Sequence, residues 1–330
     1  MKYRKLGKTG IEISEIGFGT WGLGGNSYGP ADDQESITSL RSAFDKGVTF
    51  YDTSDLYGNG HAETVVGEAF KNDRDKIIIG TKGGLLPHSG FEMPMDFSAE
   101  YLRSALDKSL SRLRTDYVDL YLLHSPTLKE IEPALATLRE MRKEGKIRSL
   151  GVSVRSPNDG KQIVEQYDVD AIQVNFNIID HRAVENGLFG LAQEKGIGII
   201  ARTPLAFGYL TGSLTGKESF GGIDHRNNWP KDQLQRWASA PGVFSFLQNK
   251  DRTPTQAALL WCLAQKEIST VIPGMMNLDH VAENTAASSL PSLSQDEIEK
   301  VFRAYKENEE KFYNKSFVKV NPKEEKELEL

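Results

Sequence analysis

This sequence predicts an α/β protein built as a (β/α)8 or TIM barrel, and three observations predict it. Eight short apolar runs, rich in β-branched and aromatic residues, alternate with amphipathic stretches almost to the end of the 330 residues. No shift in composition divides the chain, and a length of this order is commonly taken up by one α/β barrel. Three successive runs also stop at ionisable side chains: Val48-Thr49-Phe50-Tyr51 at Asp52, Ile77-Ile78-Ile79-Gly80-Thr81 at Lys82, and Val118-Asp119-Leu120-Tyr121-Leu122-Leu123 at His124. Eight parallel strands can close on themselves and leave no exposed edge, so a closed barrel fits better than an open doubly wound sheet. One domain over 1–330 is expected.

The elements follow in order. A hairpin over 3–6 and 11–14, turning on Gly7-Lys8-Thr9-Gly10, would plug the bottom of the barrel. Strands are expected over 16–19, 48–52, 76–81, 117–123, 147–153, 171–174, 198–201 and 269–272. Each is a short apolar run bounded by residues that favour turns. Helix starts are marked by Asp32-Asp33-Gln34-Glu35 and Ser98-Ala99-Glu100, where a capping side chain and an early carboxylate serve unpaired amides. Two connections exceed what a barrel needs, 83–96 after the third strand and 203–254 after the seventh. Long strand-to-helix loops lie on the active face of this architecture and are candidate lids. An added helix begins near Ser294, and the last ~20 residues, containing Lys323-Glu324-Glu325-Lys326-Glu327, read as a mobile tail.

Composition narrows the partners. A net charge of -6 argues against nucleic acid and anionic membranes. Cys262 is the only cysteine and lies within a helical apolar run, which points to packing. Basic residues at Met1-Lys2-Tyr3-Arg4-Lys5 are not followed by an apolar signal region, and no apolar stretch reaches the roughly twenty residues a membrane span needs. A cytoplasmic protein with a small-molecule partner is the expectation; oligomeric state is left open.

Parallel strands bring their exits together, so Asp52, Lys82 and His124 would converge on one rim, with Tyr57 delivered by the loop after Asp52. A phenol holds its proton near neutrality and can give it to an oxygen becoming an alkoxide. An ammonium beside it favours the phenolate, so Lys82 is expected to lower the Tyr57 pKa. Asp52 would hold Lys82 charged, and His124 could hydrogen-bond a carbonyl oxygen. These groups move a proton but cannot reduce carbon, so a carbonyl reaction would require a hydride-supplying cofactor.

The segments Asp52-Thr53-Ser54-Asp55-Leu56-Tyr57-Gly58, Gly80-Thr81-Lys82-Gly83 and Leu122-Leu123-His124-Ser125-Pro126 resemble those carrying the catalytic tetrad of the aldo-keto reductase family. The resemblance runs from Leu6 to about Ala287 and includes the branch of bacterial members and potassium-channel β subunits. It implies NAD(P)H-dependent reduction of aldehydes or ketones, with Asp52, Tyr57, Lys82 and His124 as the tetrad and Tyr57 as general acid. It also implies cofactor contacts. Gly19, Thr20 and Trp21 would meet the nicotinamide end, Ser153 and Gln173 the carboxamide, and Arg202 the ring face. Thr203, Pro204, Leu205, Gly208, Leu210 and Gly212 would wrap the pyrophosphate, while Gly274, Met276, His280, Glu283 and Asn284 would hold the adenosine half.

The chain departs from the family pattern at Val154, where many members have Asn, and at Met275, Met276 and His280, where members often present polar or basic groups to the 2'-phosphate. Arg226 would supply the missing cation, and NADPH is the expected cofactor, with NADH as the alternative. Trp21, Tyr28, Tyr57, Leu85, Phe91, Phe207 and Trp229 could line the mouth. Two other functions stand beside the reductase: a nicotinamide-dependent sensor or regulatory subunit, and a barrel isomerase or aldolase using Lys82 as a Schiff-base nucleophile.

Overall fold

Alternation along each strand decides this architecture, because successive side chains point to opposite faces and the inward set must fill the barrel. A computed structural model describes residues 1–87 and 94–312. Eight parallel strands lie in chain order: β3 (Phe18–Gly19), β4 (Phe50–Asp52), β5 (Ile78–Gly83), β6 (Val118–His124), β7 (Ile147–Ser153), β8 (Ala171–Asn175), β9 (Gly198–Arg202) and β10 (Ile268–Val271). Parallel bridges from Ile16 to Val271 and from Gly19 to Gly274 join the first and last strands, closing the barrel.

The antiparallel hairpin of β1 (Tyr3–Lys5) and β2 (Glu12–Ser14) caps the end where the strands begin. Its Leu6 and Ile13 join Phe50, Leu120, Leu122, Ala171, Ile200 and Ile272 in one buried apolar cluster, so the plug is part of the barrel core. Arg4 fastens it by donating to the carbonyls of Leu263, Gln265 and Ile268 at 2.7, 3.2 and 2.9 Å. Gly7 has φ +52°, and a β-carbon there would lie 2.4 Å from the Gly196 carbonyl oxygen, so only glycine permits this approach.

Strand limits shift slightly from those expected. Residues 74–76 form a helical turn instead of starting a strand, with Arg74 bound to buried Asp119 at 2.7 Å. β5 therefore starts at Ile78 and runs on through Lys82. The long seventh connection contains short turns and the helix Lys231–Ala238. Helix Gln295–Phe312 closes the chain's described part, burying Val301, Tyr305 and Phe312, with Tyr305 stacked 3.7 Å from His181. Cys262 is buried in helix Pro254–Leu263, in keeping with a packing role. The expected mobile tail, Phe91 and the centre of the 83–96 connection lie outside the described residues. Among the described residues, no helix is long and apolar enough to cross a membrane.

Candidate active site

Two residues above each inward apolar or glycine position, the period of two places a polar side chain on the same face. Phe50 is followed by Asp52, Gly80 by Lys82, Leu122 by His124, Gly151 by Ser153, Ala171 by Gln173 and Ile200 by Arg202. The parallel register sets these at similar heights, pairing His124 with Ser153 and Ser153 with Gln173. The apolar layer below leaves them no water beneath, so they must satisfy one another.

Lys82 is fully buried, and its three ammonium protons find three acceptors: Asp52 Oδ2 at 2.7 Å, the Thr53 carbonyl at 2.8 Å and Tyr57 Oη at 3.1 Å. Burial pulls its pKa down, but the charges and hydrogen bonds of Asp52 and Tyr57 together outweigh that, and it is raised overall. Lys82 is thus held as an ammonium. Asp52 Oδ1 accepts from Gln173 Nε2 at 2.6 Å, and Gln173 Oε1 accepts from Ser153 Oγ at 3.0 Å. A continuous hydrogen-bonded chain therefore runs from Ser153 through Gln173, Asp52 and Lys82 to the phenol.

Because Lys82 donates to Tyr57 Oη, the phenolic proton is left to point elsewhere. The loop bearing Tyr57 is seated by a glycine contact. Gly58 has φ +61°, and a β-carbon there would come 2.2 Å from the Gly24 carbonyl oxygen. Tyr57 lies edge-on to His124, with ring centroids 6.1 Å apart, and remains partly exposed. Its pKa departs from the expected direction: desolvation raises it more than Lys82 lowers it, so the phenol is a weaker acid than a free one. Burial outweighs the ammonium because Asp52 offsets part of the positive charge.

His124 Nδ1 lies 3.1 Å from Ser54 Oγ. Arg202 is held by Asn175 Oδ1 at 2.7 Å and the Val154 carbonyl at 3.1 Å, and its buried Nε has no hydrogen-bond partner among the described residues. Thr20 Oγ1 donates to the Asp52 carbonyl at 2.9 Å, placing Gly19, Thr20 and Trp21 beside the exit of β4.

The 203–212 segment is tightly coiled, with Thr203, Ala206 and Phe207 at φ +58°, +45° and +58° followed by Gly208 at +94° and Gly212 at +80°. Left-handed backbone at a residue with a β-carbon costs about 1–2 kcal/mol, so the rest of the fold must impose this shape. Pro204 and Leu210 are buried, and Gly208 and Leu210 donate their amides to the Leu205 carbonyl at 2.9 and 3.2 Å.

At the far end of the mouth, the Met276 side chain lies against Gly22, and its amide donates to His280 Nδ1 at 3.2 Å. Asn277 caps helix Leu278–Ala286. Glu283 accepts from Thr253 at 2.7 Å, and Asn284 donates to the Gly274 carbonyl at 3.3 Å. A cleft beside this turn is lined by Asp32, Glu35, Asn277 and Asp279 and is therefore acidic. Arg226 does not supply a free cation: both arms of its guanidinium bind Asp224, at 2.9 and 2.6 Å, and it stacks 3.8 Å from the Phe220 ring centroid. Among the described residues, no hydrogen bond, ion pair or ring contact joins it to Met276 or His280.

Of the residues expected to line the mouth, Trp21 contacts Tyr28, Tyr57 and Phe207, and Phe207 contacts Trp229; Leu85 is buried. His225 lies at their centre, 4.5 Å from Trp21 and 4.9 Å from Phe207. Burial pushes its pKa down to about 4, so it behaves as another neutral ring near neutrality. Sequence reading missed His225, although it adjoins Arg226. It also missed Ser54 and Asp55, which lie inside a quoted motif.

The donor set suits a nicotinamide dinucleotide. A buried guanidinium retains an unpartnered N–H, an amide–hydroxyl pair lies one step from Asp52, and a capped helix start favours phosphate. The model of the Aldo/keto reductase family matches residues 15–306. A probable aldo-keto reductase of Glycine max is 32% identical over 306 residues, covering 91% of this chain and 88% of its own. The NADH-specific methylglyoxal reductase of Escherichia coli is 30% identical, with 88% and 94% covered. Among solved structures, the holo form of an aldo-keto reductase from Bacillus halodurans has a TM-score of 0.75 at 30% identity, covering 92% of this chain and 96% of that one. A glycerol dehydrogenase from Gluconobacter oxydans reaches 0.78 at 28%, with 92% and 94% covered.

Proposed function

The chain belongs to the aldo/keto reductase family, and from that premise we propose that it reduces small aldehydes or ketones to alcohols, with Tyr57 as general acid. The observation that carries this reading is the three-way binding of the Lys82 ammonium by Asp52, Thr53 and Tyr57. When bound, the nicotinamide dinucleotide supplies hydride. Tyr57 holds a proton on Oη and gives it to the substrate oxygen; Lys82 then stabilises the phenolate charge that remains. His124 orients the carbonyl by hydrogen bonding, and the aromatic group of Trp21, Phe207 and His225 excludes water. Ser153 and Gln173 would hold the carboxamide, Arg202 would stack on the ring, and residues 203–212 with the Gly274–Asn284 turn would hold the phosphates and adenosine.

The dinucleotide preference follows from charge. The expectation of NADPH followed the family tendency, with Arg226 as the residue that could supply a cation; Asp224 pairs with that guanidinium, and the cleft by Asn277 is acidic. The proposed cofactor is thus NADH or NADPH, with affinities within about tenfold, because among the described residues the guanidinium expected to meet a 2'-phosphate is already paired with Asp224. Fluorescence titration with each dinucleotide checks this; a hundredfold preference for NADPH would overturn it.

A Schiff-base role for Lys82 is set aside because an ion-paired ammonium is a poor nucleophile. The reductase reading is tested by incubating the protein with each reduced dinucleotide and a panel of aldehydes, methylglyoxal included. Binding without turnover on any substrate would favour the regulatory alternative. Tyr57→Phe is expected to keep dinucleotide binding and lose at least ~10²-fold in turnover, since only the proton donor is removed.

A further inference from the structure

The Ser54 hydroxyl has one proton and two lone pairs, and more groups surround it than one hydroxyl state can serve. The Leu56 amide donates to Oγ at 3.2 Å; Asp55 Oδ1 lies at 3.2 Å and His124 Nδ1 at 3.1 Å. The Lys82 carbonyl, at 3.4 Å, is the most distant. With one lone pair taken by the Leu56 amide, the hydroxyl proton can go to Asp55 or to His124. Whichever does not receive it must donate to the remaining lone pair.

We propose that Asp55, acting through Ser54, is a positioning residue that sets which ring nitrogen of His124 carries a proton, so that one proton lost from this three-residue chain withdraws the Nε2–H offered to the substrate carbonyl. This rests on the reading of His124 as the carbonyl's hydrogen-bond donor.

The proton inventory balances in each state. With the proton present, the Asp55 carboxyl donates to Ser54, Ser54 donates to Nδ1, and the neutral imidazole keeps Nε2–H. Passing that proton along the chain yields a carboxylate and an imidazolium, with Nε2–H still in place. When the proton leaves for solvent, Ser54 donates to the Asp55 carboxylate, Nδ1–H donates to Ser54, and Nε2 is bare. The same heavy atoms satisfy all three arrangements. In the last, a lone pair on Nε2 would face the lone pairs of the carbonyl oxygen.

Charged and titratable groups approach Asp55 from each neighbouring element. Glu63 comes from helix His61–Ala69, Arg112 and Tyr101 from helix Ala99–Leu113, and Tyr121 from β6, whose His124 is linked to Asp55 through Ser54, while the Asp55 amide donates to the Lys82 carbonyl on β5 at 3.2 Å. Arg112 is engaged by Glu63 at 2.7 Å, which limits the help it gives an Asp55 anion. Burial, then the Glu63 charge, lift the Asp55 carboxyl to about 7 against the downward pull of Ser54, Arg112 and the Leu56 amide. Asp55 is partly exposed, which gives the proton a route out.

Nitrogen-15 NMR of the full chain reads the tautomer directly, and the His124 signal is assigned by its loss in His124→Gln. In the parent, His124 is expected to change from Nε2–H to Nδ1–H as pH rises through neutrality. kcat/KM for carbonyl reduction should fall about tenfold per pH unit above the same midpoint. Asp55→Asn should abolish both the tautomer change and that limb of the pH profile; Ser54→Ala should do the same with Asp55 intact, and Ser54→Thr, which keeps a hydroxyl, should restore them. A tautomer change that survives Asp55→Asn with its midpoint unmoved, or a parent His124 that keeps one tautomer throughout, overturns the proposal. If the NMR transition is present but no carbonyl turns over, the coupling stands and the reductase reading fails.

Discussion

Replacing Lys82 by methionine tests whether the buried ion pair is the foundation of the site. Methionine keeps most of the side-chain volume, so the main loss is the ammonium. Asp52, 2% exposed, would retain only Gln173 on its other oxygen, while the Thr53 carbonyl and Tyr57 hydroxyl would each lose a donor. Removing one partner of a buried pair costs about 3–5 kcal/mol, because the remaining charge stays desolvated without compensation. Lys82→Met should lower unfolding stability by that amount in urea denaturation with an unchanged m-value. Adding Asp52→Asn removes the stranded charge while leaving an oxygen for Gln173, so the double variant should recover about 1–2 kcal/mol relative to Lys82→Met. A loss below ~1 kcal/mol in the single variant, or a second substitution that only adds its own cost, would refute this reasoning.

Two further predictions concern the loop between Asp52 and Tyr57 and the glycine after it. Gly58→Ala should lower turnover by about 10²-fold through displacement of Tyr57, because the new β-carbon would meet the Gly24 carbonyl oxygen at 2.2 Å; Gly10→Ala, also at positive φ but with nothing within 4 Å, should cost stability alone. Asp55 has a pKa raised in the folded state to about 7, so its stabilising contribution is complete below the usual carboxylate range and is lost as pH rises through about 7. Asp55→Asn should therefore gain about 1–2 kcal/mol relative to the parent between acidic and mildly alkaline pH, a figure reduced for the residue's partial exposure; a pH-independent difference in thermal unfolding would contradict the shift.

Much of the barrel was legible in the sequence because strand periodicity is local. Phe50 two residues before Asp52, and Leu122 two before His124, already place an apolar floor below a polar rim, and Asp52-Thr53-Ser54-Asp55-Leu56-Tyr57-Gly58 marks the loop that delivers the phenol. The start of β5 was less legible, since Ile77 continues the apolar run while Arg74 turns away to reach Asp119, 45 residues on. Arg226 reads as a free loop cation unless Asp224, two residues earlier, is seen as its partner. Nothing in the linear order shows that Ser54 would meet His124 across 70 residues.

By itself, the sequence determined which side chains sit at the strand exits and which face they share, since both follow from a two-residue repeat and the polarity of neighbouring positions. Only the tertiary structure decided the balance of forces on those groups: the Tyr57 phenol is pushed up despite its ammonium neighbour, Lys82 stays charged without water, and Asp55 reaches about 7. The reason is that desolvation and Coulomb energies depend on distances between segments remote in sequence and on what covers them, quantities that exist only once the barrel has closed.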